Sequence, residues 1–233
     1  MRLNRTTSLI LFGLIVIIGI VLAVTKDMRK GIEITVQQDE TDLVEDFTGT
    51  DLVSGTYAID TVNSSIEWVA RKKVIPNYKD VGTLAPAKGV ITLEDEMLTE
   101  GEVVIDVGSL EVTETGVGGG FSGLARDLLS DRFLGAEQFP EATFTLTGAE
   151  GSRKNNFNIT GDLTIKGVTQ SVETVVSVES VSLESIVLQG ELTIDRTAYG
   201  ITFGSDQFFD DLGDRVIDDA VDLMVSLQAT RVE

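Results

Sequence analysis

The chain has 233 residues, 42% of them hydrophobic and 24% charged, and its formal net charge is −20. So negative a chain is a poor match for nucleic acid, whose phosphates are neutralised by clusters of Lys and Arg; solubility and mutual repulsion account for the charge. There is no Cys and no His, which removes disulfides, thiol nucleophiles, Cys-ligated metals, the Ser-His-Asp triad and axial His ligation.

Residues 1–8 form a short N-terminal tail. Leu9 to Val24 is an unbroken apolar run, and uncharged Thr6, Thr7, Ser8 and Thr25 widen the charge-free window. A bilayer core of roughly 30 Å takes about 20 helical residues, so residues 9–25 are expected to be a transmembrane helix or uncleaved signal anchor. Arg2 and Arg5 precede the run, and Val21-Leu22-Ala23 offers a small-residue cleavage site, so a secreted product is the alternative. Either outcome puts the rest of the chain on the extracytoplasmic side. Residues 26–55 read as an acidic linker: Gly31 to Gly55 carries acidic residues and no basic one, with little to bury.

From residue 56 to 233 the pattern turns to period two. Ile66, Trp68 and Ala70 alternate with Ser65, Glu67 and Val69; Val103, Ile105 and Val107 with Glu102, Val104 and Asp106; Ala142, Phe144 and Leu146 with threonines. Leu163 and Ile165, then Leu192 and Ile194, and finally Val221, Leu223, Val225, Leu227 and Ala229 continue it. One dry face and one wet face on many short strands describe a sandwich or closed barrel. One stretch departs from this: Phe121, Leu124, Leu128 and Leu129, within Gly118 to Phe139, have helical spacing. A short helix and turn are expected there, across one barrel mouth or flank. Phe139-Pro140 then stops it and starts an extended strand. Lys166-Gly167, between two strand-like runs, marks a tight hairpin with positive φ.

Six ordered motifs resemble the YceI-like family, whose members bind polyisoprenoids. They are Tyr57-Ala58-Ile59-Asp60, Ser65-Ile66-Glu67-Trp68, Asp127 to Phe133, Phe139 to Phe144, Gly161 to Gln170 (GDLTIKGVTQ), and Asp195 to Ile201. The resemblance implies an all-β fold: an extended antiparallel lipocalin-like barrel of about eight strands with a slim internal channel. It also implies a secreted or periplasmic setting and an apolar guest, a long-chain isoprenoid or an isoprenoid-quinone-like lipid. Many members carry His near the end of the first strand region and before the Leu-x-Ser-x-x-Phe motif. This chain has Asn77 to Gly82 and Arg126-Asp127-Leu128 in those stretches.

Ile66, Trp68, Phe121, Leu128, Phe133, Phe139, Phe144 and Phe203 are the expected tunnel lining, although core packing explains each one singly. In place of the histidines, Lys79, Arg126 and Arg196 are the expected head-group contacts, with Asp127 beside them. Arg196 can equally pair with an inward carboxylate or lie solvated at a strand end. Phe208 and Phe209, in an acidic loop, read as a gate to the mouth or as loop anchors. The Asp-rich run from Asp206 to Asp222 lacks EF-hand spacing. No cofactor, metal or catalytic residue is expected. The partners are a lipid guest and, through the N-terminal helix, the membrane; a homodimer is compatible with the sequence. The competing reading is a structural or interaction module of the cell envelope with a filled barrel and no ligand.

Overall fold

The computed structural model describes residues 52–151 and 155–232. The expected tail, the apolar run and nearly all of the acidic linker lie outside these residues. Among the described residues no helix is long and apolar enough to cross a membrane.

Nine strands follow in chain order: β1 Gly55–Ile59, β2 Ser65–Arg71, β3 Lys79–Glu94, β4 Met97–Glu114, β5 Glu141–Gly151, β6 Asn156–Ile165, β7 Val168–Ser182, β8 Ser185–Asp195 and β9 Ala220–Arg231. The helix α1, Phe121–Leu129, lies between β4 and β5, and two 3₁₀ turns, Arg196–Tyr199 and Gly213–Arg215, lie between β8 and β9. All pairings are antiparallel, in the order β3-β2-β9-β8-β7-β6-β5-β4, and β4 returns to β3 to close the barrel. β1 and β2 share one position in this eight-membered ring, both lying between β3 and β9. The chain bulges out between them, where the Asp60 carboxylate accepts the N–H groups of Val62 and Asn63 at 2.9 and 3.1 Å. Ser64 then resumes the ladder through its hydroxyl, which accepts the Gln228 N–H at 2.9 Å. Closure removes the open edges that a flat sheet would expose.

The expected hairpin is present: Lys166 and Gly167, at φ 52° and 74°, join β6 to β7 in the primed-turn backbone that matches strand twist. The expected helix is also present, with Ser130 N–H capping onto the Asp127 carbonyl. It packs against β4, and Phe139-Pro140 precedes β5 as expected.

The strands place two ends in space. At one end, Leu52, Tyr57, Leu93, Phe157, Val178, Ile186 and Ala229 fill the interior as a solid core. Leu52, which the sequence assigns to the linker, belongs to this core. At the other end lie the segments 72–78, 115–140 and 196–219. The inward residues there stay partly accessible: Val221, Leu223 and Val225 on β9 are half-buried, whereas Leu227 and Ala229 farther along are buried. The barrel is filled at one end and hollow at the other.

Glycine explains the hollow. A Cβ at Gly161 would stand 2.2 Å from the Phe144 ring, and one at Gly82 would stand 2.4 Å from the Trp68 ring. Both rings therefore lie against bare backbone in the wall and leave the lumen free. The wall also parts once. β7 and β8 pair from Ser182/Ser185 only as far as Val176/Gly190. Beyond that rung, β7 stays with β6 and β8 with β9. The first 3₁₀ turn occupies the divergence: Gln170 Nε2 donates to the Ala198 carbonyl at 3.0 Å, and Tyr199 packs against Leu163 and Ile194.

The Gly161→Val variant should push Phe144 off its seat into the lumen. Overpacking of this kind costs about 1–3 kcal/mol, read as a lower urea midpoint, and adding Phe144→Ala should recover part of the loss.

Candidate functional site

The hollow half encloses a cavity of about 450 Å³, within the ~300–1,000 Å³ of ligand-binding clefts. Its wall is the inward face of the alternating runs: Ile105 and Val107 from β4, Phe144 and Leu146 from β5, Leu163 and Ile165 from β6, Leu192 and Ile194 from β8, Leu223 and Val225 from β9. Leu124 and Leu128 of α1, Phe133 and Phe203 roof its open end. Phe133 and Phe203 meet edge to face, with ring centroids 5.4 Å apart, and the Arg132 guanidinium covers the Phe203 ring at 4.7 Å.

Thr174 and Glu191 reach the cavity lower down, where β7 and β8 part, but most polar groups gather around the mouth. Arg71, Lys72, Tyr78, Asp80, Asp127 and Arg196 border the cavity there. Most are already engaged. Arg71 pairs with Asp222 at 2.6 Å, and Asp127 pairs with Arg132. Lys72 differs, because its ammonium lies 5.0 Å from the centre of the Tyr78 ring and, among the described residues, no carboxylate is paired with it. Burial raises the Tyr78 hydroxyl above its ordinary pKa, with Asp80 adding to the effect, so the phenol is neutral at pH 7. Among the described residues there is no cluster of acidic side chains able to hold a metal ion. The lining thus combines a long apolar trough with one uncommitted cation at its rim.

Of the residues expected from sequence, Ile66, Trp68, Leu128, Phe133, Phe144 and Phe203 line the cavity. Two lie elsewhere. Phe121 opens α1 on the outer surface. Phe139 packs beside the turn glycines Gly135 and Gly167. The aromatic residue types are the same inside and out; what separates them is whether the local strand or helix points the ring inward.

The expected head-group cations also divide. Lys79 pairs with Glu114 at 3.1 Å on the flank, and Arg126 is exposed on α1 away from the lining. Arg196 is only 4% exposed. Its Nε donates to the Asp218 carbonyl at 3.0 Å, one terminal nitrogen to the carbonyls of Ile201 and Phe203 at 2.7 and 2.9 Å, and the other to the Ile217 carbonyl and the Asp219 carboxylate, both at 3.1 Å. Those contacts use all five donors of a guanidinium. Ser205 and Gln207 add donors to the second Asp219 oxygen at 3.0 and 2.7 Å. Of its three sequence readings, the inward carboxylate pair is the one realised, and Arg196 holds the 196–219 segment over the mouth. Burial pulls its pKa down while Asp219 pulls it back up.

Sequence reasoning missed Lys72 and Tyr78, since nothing in Lys72 to Tyr78 signals that this short loop turns back to the rim. Leu223 and Val225 were legible as an apolar face, but not as the part of that face left unfilled.

Arg196→Met should leave four carbonyls without donors and Asp219 uncompensated, a loss of about 3–5 kcal/mol in denaturant unfolding. Arg196→Lys should recover only part, because an ammonium lacks the planar fork. A second expectation concerns pH. Hydrogen bonds from Thr193 and Arg71 hold the Asp222 carboxyl below its ordinary pKa, so the folded state keeps it ionised more readily than the unfolded chain does. Its contribution is complete above the unfolded value and is lost as pH falls through the folded one. In acid titrations of stability, Asp222→Asn should flatten the decline on that limb.

A YceI-like domain model matches residues 57–229. No curated protein sequence matches the chain. Among solved structures, BcnA of Burkholderia cenocepacia superposes with a TM-score of 0.56 at 22% identity, covering 74% of this chain and 99% of that one. A polyisoprenoid binding domain from Saccharophagus degradans, implicated in plant cell wall breakdown, superposes with a TM-score of 0.55 at 18% identity, covering 76% of this chain and 98% of its own. At such identities the superpositions establish a shared fold, and the domain match, which takes in nearly the whole barrel, establishes descent: the chain belongs to the YceI-like family.

Proposed function

We propose that this protein is a non-catalytic carrier of a long, single-chain apolar lipid of the isoprenoid or isoprenoid-quinone type. The observation that carries the reading is the hollow half of the barrel, an apolar trough of about 450 Å³ open at one end. A flexible hydrocarbon chain gains roughly 0.8 kcal/mol for each CH₂ it buries, so an apolar wall binds it with no reactive group. The family and the polyisoprenoid-binding domain of Saccharophagus degradans support the same guest class. The alternative, an envelope interaction module with a solid interior, has the packed end in its favour but not the lumen.

The chain end is held inside the lumen and the polar head stays at the mouth, where Lys72 is the cation free to meet it. The barrel works outside the cytoplasm, tethered by the apolar run at residues 9–25; carbonate extraction of membranes from the source cells tests the tether.

Protein purified from its own host should release a lipid on organic extraction, and native mass spectrometry should show it bound one to one. Delipidated protein should take up geranylgeraniol, with a change in the emission of Trp68, the only Trp in the chain. Val225→Trp, filling the trough, should lower that affinity at least about tenfold, some 1.4 kcal/mol, with an unchanged far-ultraviolet spectrum. Absence of both extracted lipid and uptake would sink the carrier reading. Lys72→Gln should leave geranylgeraniol uptake unaltered and weaken only guests with an anionic head.

A further inference from the structure

The open end of the barrel carries an unusual surface. All four exposed phenylalanines among the described residues, Phe121, Phe203, Phe208 and Phe209, lie on the two long segments that frame the mouth. Phe208 and Phe209 are 56% and 46% exposed, which fits neither a buried loop anchor nor a plug in the lumen. Val117, 76% exposed, stands just before α1, and Val74, 54% exposed, lies on the third segment of the same rim. Val168, beside the β6–β7 hairpin, lies at the same end; Val62, Val90 and Leu183 are single side chains elsewhere, as on any soluble protein.

The described cations gather at the same end. Nine of the eleven Lys and Arg residues among the described positions lie at the open end, the exceptions being Lys88 and Arg231. Carboxylates occur at both ends, and five of the nine open-end cations are paired with them: Arg71 with Asp222, Lys73 with Asp206, Lys79 with Glu114, Arg132 with Asp127 and Arg196 with Asp219. The apolar rim is also continuous with the cavity, because Phe203 belongs to both.

We infer that the rim of the open end is a docking surface for a phospholipid bilayer, with Phe208 and Phe209 inserted into the boundary between head groups and acyl chains. The inference rests on the carrier reading in one respect: a chain that loses roughly 0.8 kcal/mol per CH₂ on entering water needs a path from bilayer to lumen that avoids it. A mouth seated on the membrane supplies that path. Partly exposed aromatic rings at an interface gain by burying their apolar faces there.

The test uses the full chain. The apolar run at residues 9–25 would by itself bring the protein to vesicles, so the readout is which end of the barrel inserts. In a Trp68→Phe background, Phe209→Trp places a reporter on the rim and Leu183→Trp places one at the closed end. Phosphatidylcholine–phosphatidylglycerol vesicles containing dibromo-phosphatidylcholine should quench the first strongly and the second hardly at all. Equal quenching at both, or none at position 209, overturns the inference. A second measurement uses the Phe208→Ser/Phe209→Ser variant. Its uptake of geranylgeraniol from vesicles should slow at least about fivefold, as expected for losing part of the burial of two aromatic rings, while uptake from a cyclodextrin complex stays unaltered. Unslowed uptake from vesicles also counts against docking. If the unsubstituted protein takes up nothing from cyclodextrin, the carrier reading fails instead, and the quenching result stands on its own.

Discussion

Two aromatic rings seated on bare backbone decide what this barrel can do. Protein interiors are normally packed to crystal density, and eight strands enclose a space that side chains readily fill. Here Phe144 lies on Gly161 and Trp68 on Gly82, each so close that a methyl group has no room between ring and backbone. The largest inward side chains are thereby folded into the wall. What is left is an apolar lumen, lined from Ile105 to Val225, that no side chain fills. Such a lining gains dispersion contacts from any apolar guest of matching width.

A barrel can tolerate that void because its other end is solid. Tyr57, Leu93, Phe157, Val178 and Ile186 are almost completely buried there, and β1 adds rungs to both β3 and β9 around them. Stability and binding are therefore divided along the strands. On β9, the same alternation puts Ala229 in the core and Leu223 in the lumen, with Val225 and Leu227 at the passage between them.

The mouth is organised by a buried charge whose donors are all engaged within the protein. Arg196 and Asp219, with Ser205 and Gln207, fasten a long acidic segment over the barrel end. Its five donors are met by four carbonyls and a carboxylate, so the guanidinium rigidifies the loop without being left as an uncompensated charge. That attachment lets Phe203 turn toward the cavity while Phe208 and Phe209 stay exposed. The β7–β8 separation has a related origin, since the 3₁₀ turn beginning at Arg196 occupies the place where a continued ladder would run.

Alternation along the chain determined by itself that the fold is all-β with one dry and one wet face, a sandwich or a closed barrel. It named the inward residues of β2, β4, β5, β6, β8 and β9, because period two is a local property of an extended backbone. Gly118 to Phe139 announced its helix and Lys166-Gly167 its hairpin for the same reason: capping, spacing and positive φ are settled within a few residues. Tertiary structure alone decided the rest. Whether an inward residue is core or lining depends on what stands across the barrel from it, which is why Phe144 and Phe157 look alike in sequence and differ in role. The fate of Arg196 depended on four carbonyls and one carboxylate brought together from segments that local pattern cannot pair. The rim placement of Lys72 depended in the same way on its bridge to Ile217, far along the chain.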